Sequence, residues 1–139
     1  MALTATVHCL TGCAIGEVLG MALGTVLGWT NGATVVASIV LAFLFGYGLT
    51  SLPLLRSGLS LREVAPLALA ADTLSIATME IVDTLIVLII PGALDAGLRD
   101  LLFWFSLVAA LLLAGAAAYP VNRHLIDRGR GHALIHGRH

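Results

Sequence analysis

Four long apolar runs, at about residues 3–29, 33–55, 64–90 and 98–121, take up nearly the whole sequence. Crossing the hydrocarbon of a bilayer takes roughly 20 mostly apolar residues per helix, and every run is long enough. In lipid each backbone N–H and C=O must be paired inside the protein, which leaves the helix as the form for runs of this length. The chain is therefore expected to be all-α, a polytopic membrane protein folded as a four-transmembrane-helix bundle. The bundle is placed at residues 1–122, followed by an Arg- and His-rich cytoplasmic tail at 123–139. Composition agrees, with 11% charged residues where soluble domains carry about 25%. The first run has no basic n-region before it, so it is expected to persist as a helix rather than be removed as a signal peptide.

Arginine placement gives an orientation. With four spans, Arg56, Arg62, Arg123, Arg128, Arg130 and Arg138 share one side, and Arg99 lies on the other beside Asp95 and Asp100. The positive-inside rule puts the arginine-rich side, with both termini, in the cytoplasm, and so predicts a multi-pass protein of the cell (inner) membrane. Trp29 and Trp104 then fall near the outer face, a common interfacial position.

Four acidic side chains lie inside these spans: Glu17 in the first, and Asp72, Glu80 and Asp83 in the third. There is no lysine, and the arginines fall in loops or tails. A carboxylate at mid-bilayer costs about 2.5 kcal/mol or more even on mild scales, so it turns inward and takes a proton, a partner or a cation. Carboxylic acids hydrogen-bonded to Thr73, Ser75 or Thr84 would be the purely structural alternative.

The first span carries Gly12, Gly16, Gly20, Gly24 and Gly28, small residues at a spacing that lets another helix come close. At about 100° per residue, Cys9, Cys13 and Glu17 spread over roughly 80°, with Gly16 and Gly20 within about 20° of Cys9. This common face is expected to pack on the third helix or on a symmetry mate, leaving room for a homodimer joined along the glycines. On the third span Asp72, Ile76, Met79 and Asp83 cluster within about 60°, and Glu80 lies roughly 80° from Asp72. Both helices start from the same side, so depths compare at about 1.5 Å per residue. Cys9 and Cys13 match Asp72, while Glu17 matches Met79 and Glu80. The expected site is a shallow Cys/Asp layer above a deeper Glu/Met layer.

Several boundaries are readable. Asn31 and Gly32 are expected to turn the chain after the first span, and Pro53 to kink or end the second. Ser60 and Glu63 have capping-box spacing. Pro91 and Gly92 should close the third helix, and the fourth should run to Tyr119–Pro120.

Thiolate and thioether sulfur favour Cu(I), and carboxylate and imidazole extend the range to Zn(II) and Fe(II). The candidate metal ligands are His8, Cys9, Cys13, Glu17, Asp72, Met79, Glu80, Asp83 and His132. Cys9 and Cys13 are expected as thiols in a reducing compartment, although free cysteine also packs as a small hydrophobe. Glu-x-x-His pairs of di-iron bundles are missing, as are Walker, Rossmann and Ser-His-Asp patterns. His8 and His124 lie near span ends, which leaves no midplane bis-His haem site.

Three segments together carry a resemblance: His8-Cys9-x-x-Gly12-Cys13-x-x-Gly16-Glu17-x-x-Gly20, then Met79-Glu80-Ile81-Val82-Asp83, then Pro120-x-Asn122-Arg123-x-Leu125-Ile126-x-x-Gly129-x-Gly131-His132-Ala133. The set resembles an uncharacterised bacterial and archaeal family of four-helix membrane domains, a domain of unknown function. It implies the single-domain fold and no activity. The position of Asn122 and Arg123 at the end of the fourth span could hold His132 over the Cys9 end.

The function expected from the residues is non-enzymatic. A soft transition-metal cation, copper before zinc or iron, is bound in the bundle and transported or handed over. His8, Cys9 and Cys13 would capture it, Met79 and Glu80 would coordinate it deeper, and Glu17, Asp72 and Asp83 would offset charge. The expected partners are the lipid bilayer, the metal cation and a second copy, with no nucleic acid. The rival is a membrane assembly or accessory protein whose polar network only holds helices together.

Overall fold

The computed structural model describes residues 2–128. Four helices follow one another: α1 (Ala2–Leu27), α2 (Asn31–Arg56), α3 (Leu61–Ile89) and α4 (Leu101–Asp127). No strand occurs among the described residues. Residue pairs fix an up-and-down bundle. Gly12 faces Gly46 while Gly24 faces Thr34, so α1 and α2 are antiparallel. Thr6 meets Asn122 and Leu10 meets Gly115, so α4 is also antiparallel to α1. Cys9 meets Asp72 and Cys13 meets Met79, so α3 runs parallel to α1.

The ends of the helices follow local chemistry. Gly28 has φ +67, and the Trp29 N–H bonds back to the Gly24 carbonyl at 2.9 Å, the closure that a left-handed glycine makes possible. Thr30 then caps α2, accepting from the Ala33 N–H at 3.2 Å. The turn expected at Asn31–Gly32 thus lies three residues earlier, and those two residues open α2. Pro53 lies within α2, which ends soon after it, at Arg56. At the start of α3 the Glu63 carboxylate accepts from the Ser60 N–H at 2.8 Å and from its hydroxyl at 2.9 Å, as its spacing predicts.

The fourth helix does not stop at Pro120. It continues to Asp127 with Pro120 inside it. Proline removes one backbone donor, a loss that membrane helices tolerate when neighbours re-satisfy the freed carbonyl. Arg123 therefore stands on α4 rather than in a separate tail.

Helices α1, α2 and α4 are each long and apolar enough to cross a membrane. Helix α3 is as long, at 29 residues, and its acids lower its hydropathy. Asp72, Glu80 and Asp83 face inward, while Leu69, Leu74, Ile81, Leu85 and Leu88 stay exposed on its outer side. Large apolar side chains are exposed on all four helices, as a lipid-facing surface requires.

The glycines of α1 pack against α2, not α3. A Cβ on Gly12 would lie 2.8 Å from the Gly46 Cα, and Gly16, Gly20 and Gly24 meet Ala42, Ser38 and Thr34 in turn. At equal depth the cysteine stripe is offset from the glycine stripe by roughly 60°, since Cys9 precedes Gly12 by three residues at about 100° each. One stripe takes α2 and the other takes α3. From Gly12 to Gly24 the ladder is thus covered by α2 within the chain, while a Cβ on Gly28, in the turn, would meet nothing within 4 Å. Cys9, Cys13, Ala42, Ile76, Met79, Ala114 and Ala118, contributed by all four helices, form the central core.

Candidate functional site

Helices α1 and α3 run side by side from the same end, so their inward side chains meet in steps along the axis. In the first step the Cys9 thiol donates to Asp72 Oδ1 at 3.7 Å. Asp72 is fully buried, with Thr50 of α2 beside it and Ser75 beside Cys9. In the second step Cys13 Sγ lies 3.9 Å from Met79 Sδ, and Glu80 adjoins Cys13. In the third, the Glu17 carboxyl faces those of Asp83 and Glu80.

This ladder differs from the expected one at Cys13. Spacing along the helix groups Cys13 with Cys9 at the level of Asp72, whereas in the structure it joins the deeper layer. The cause is the direction of the methionine side chain. Side chains on a helix lean toward its N-terminus, so the long Met79 thioether reaches back to a shallower level than its own Cα, where it meets Cys13.

Glu80 and Asp83 are only 5% and 6% exposed. Glu80 Oε1, Asp83 Oδ1 and Glu17 Oε1 are sealed from solvent and accept from no N–H, O–H or S–H donor among the described residues, while the Glu17 and Asp83 carboxyls lie within hydrogen-bonding reach of each other and the Cys13 thiol within reach of Glu80. All three acids line a cavity of about 520 Å³ at the far end of the bundle from the α1 N-terminus. It exists because α2 and α3 approach closely at Gly46 and Ile76, and are tied by a 2.7 Å Tyr47–Thr73 hydrogen bond, but part beyond that level. Met21, Val35, Ile39, Val87 and Leu88 form its apolar wall, and no arginine among the described residues lines it. At its rim the Asn31 amide donates to Asp95 Oδ1 at 2.7 Å, and Trp29 stands beside them.

The first-capture role expected of His8, Cys9 and Cys13 does not fit their positions. Cys9 and Cys13 are 0% and 1% exposed, and the cavity reaches the acids instead. The half-buried His8 turns toward the Leu49 backbone on α2. Asn122 is buried and donates its amide to the Thr6 hydroxyl at 3.0 Å. His132, with which it was paired, lies outside the described residues, as do His136 and His139. The sequence did not point to Thr6, Thr50 or Asn31 as partners, because their neighbours come from distant helices.

Both cysteines are free. Among the described residues, no three His, Cys, Asp or Glu side chains are gathered in an arrangement that could hold a metal ion. The donors are stacked along the axis rather than converged on a point.

Fold and site together define a four-helix integral membrane protein with a buried column of thiols, a thioether and carboxylates. The chain belongs to the DUF4396 family, a domain of unknown function, whose model matches residues 1–131. No curated protein and no solved structure matches it.

Proposed function

We propose that this protein binds a transition-metal cation inside the bundle, where Cys13, Met79, Glu80 and Glu17 follow one another, and passes it along the column. The observation that carries this is the pair Glu80 and Asp83, almost fully buried among Glu17 and Cys13, each with one carboxylate oxygen that accepts from no donor among the described residues. Carboxylates grouped in a poorly solvated place without arginine hold protons or a cation, since they cannot all ionise cheaply alone. A cation is favoured over protons by the adjacent sulfur pair. Metal–sulfur bonds of about 2.3 Å put two sulfurs on one tetrahedral ion roughly 3.8 Å apart, close to the 3.9 Å between Cys13 and Met79. An ordinary van der Waals contact spans the same distance, so the sulfurs select among cations and the acids supply the attraction.

Sulfur donors favour copper, and the carboxylates admit zinc or iron. Binding requires small rotamer changes that gather the stacked donors around one ion. The cation meets Glu17, Glu80 and Asp83 first, through the cavity, and the sulfurs next. With both termini in the cytoplasm of a cell membrane, as the arginine distribution favours, the cavity faces outward. Transport or handover runs between that face and the Cys9–Asp72 level.

The stacked arrangement favours one other function, an assembly protein whose polar column joins helices and binds no ion. Elemental analysis of the detergent-purified protein, with and without added copper, zinc and iron, separates the two. Stoichiometric metal retained after gel filtration supports the metal site, and none retained under any loading favours the assembly role.

A further inference from the structure

The volume above the carboxylates is far larger than a metal ion needs. Ligands approach a metal at about 2.0–2.6 Å, so a coordinated ion occupies little more than the space between its donors. The cavity measures about 520 Å³, within the roughly 300–1,000 Å³ usual for small organic ligands. Its chemistry is divided. At the inner end stand Glu80 and Asp83, more than nine-tenths buried, each with one oxygen that accepts from no donor among the described residues. The walls are mostly apolar, with the hydroxyls of Thr34, Ser38 and Thr84 set among aliphatic side chains, and Trp29 and Phe103 supply aromatic faces. Asp95 adds a further acid at the rim.

The geometry points to this cavity as a binding site for an amphipathic organic cation, a small amine whose ammonium meets Glu80 and Asp83 and whose apolar body fills the space between α2 and α3. An anion would face four acidic side chains with no arginine among the described lining residues to offset them. A neutral apolar molecule would bring no donor to the carboxyl groups at the inner end, the costly outcome for buried polar groups. A strongly hydrated cation would leave the apolar wall uncovered. An ammonium with an apolar body satisfies both ends, and an aromatic face such as that of Trp29 attracts a cation at the mouth. The inference goes beyond the metal site and stands without it, because it uses the cavity and its acids rather than the sulfurs.

A matched pair of probes tests it on the full-length protein in detergent with a chelator present: 4-phenylbutylamine and the neutral 4-phenylbutanol, each followed by equilibrium dialysis. The amine is expected to bind saturably and about tenfold or more tightly than the alcohol, the ratio that an ionic hydrogen bond supplies. Glu80→Gln with Asp83→Asn should abolish the preference. Val87→Trp fills the cavity from its wall, one turn along α3 from Asp83, keeps both acids in place, and should abolish binding itself. If one variant fails to elute as folded protein, the other decides. Equal binding of amine and alcohol, binding that survives the folded variants, or no amine binding overturns the inference. Metal retained by the same preparation without amine binding also overturns it and leaves the metal site standing. Amine binding without metal supports it and removes the metal.

Discussion

The α1–α2 interface offers a perturbation whose size can be worked out. At Gly16 an added Cβ would lie 2.5 Å from the Ala42 Cα and press on the Ala42 backbone nitrogen. Backbone cannot rotate away, so the helices must separate by about 1 Å to restore ordinary contact. A gap of that size forfeits roughly a quarter to a half of each dispersion contact of about 0.1–0.2 kcal/mol. Over a few tens of atom pairs along neighbouring turns the loss reaches about 1–3 kcal/mol, the usual range for overpacking. Alanine also gains about 0.5–1 kcal/mol over glycine as a helix former, which must be removed from the comparison. Gly48 on α2 does so, since a Cβ there meets nothing within 4 Å. Gly48→Ala should therefore be neutral or stabilising, and Gly16→Ala should fall below it by about 2 kcal/mol. Unfolding in mixed detergent–SDS micelles, followed by far-UV circular dichroism, gives both values. A difference under about 0.5 kcal/mol would show that α1 and α2 do not meet through these glycines.

Three further outcomes are expected. Cys9 and Cys13, buried and free, should react with N-ethylmaleimide much more slowly in the native protein than in SDS; equal rates would contradict their burial. Glu63→Ala removes the acceptor of two Ser60 hydrogen bonds and should destabilise the protein by about 1 kcal/mol, with an unchanged melt counting against the cap. Reporter fusions should place both termini in the cytoplasm, from the six-to-one arginine split; a terminus found outside would reverse the direction in which the cavity faces.

The four helices were legible because each is a long apolar run, and lipid leaves such a run no other fold. The Ser60–Glu63 cap was equally plain, being a local matter of spacing. Local signals misled where two of them competed. Asn31–Gly32 reads as a turn, yet Gly28 with Thr30 closes one helix and opens the next. Pro120 reads as a stop, yet one missing donor does not end α4. The inward face of α3 was readable from Asp72, Met79 and Asp83. The partner of the glycines was not, because choosing α2 over α3 depends on a 60° offset that only matters once three helices meet. Cys13 moved from one layer to the next through the reach of a methionine side chain, which spacing along the backbone does not contain. The cavity had no signature in the sequence, since it comes from the divergence of α2 and α3 beyond Gly46 and Ile76.

The central claim is that Glu80 stands in a cation site rather than in a structural hydrogen-bond network. Glu80→Gln keeps the shape of the side chain and removes its charge, so isothermal titration of wild type and variant with Cu(I) and Zn(II) at two pH values tests it most directly. A metal that displaces a proton binds more tightly as pH rises, so wild-type affinity should increase with pH. The variant should bind about tenfold or more weakly while keeping its helical content and melting behaviour. Identical binding by the two proteins, or no binding by either, would contradict a cation site at Glu80.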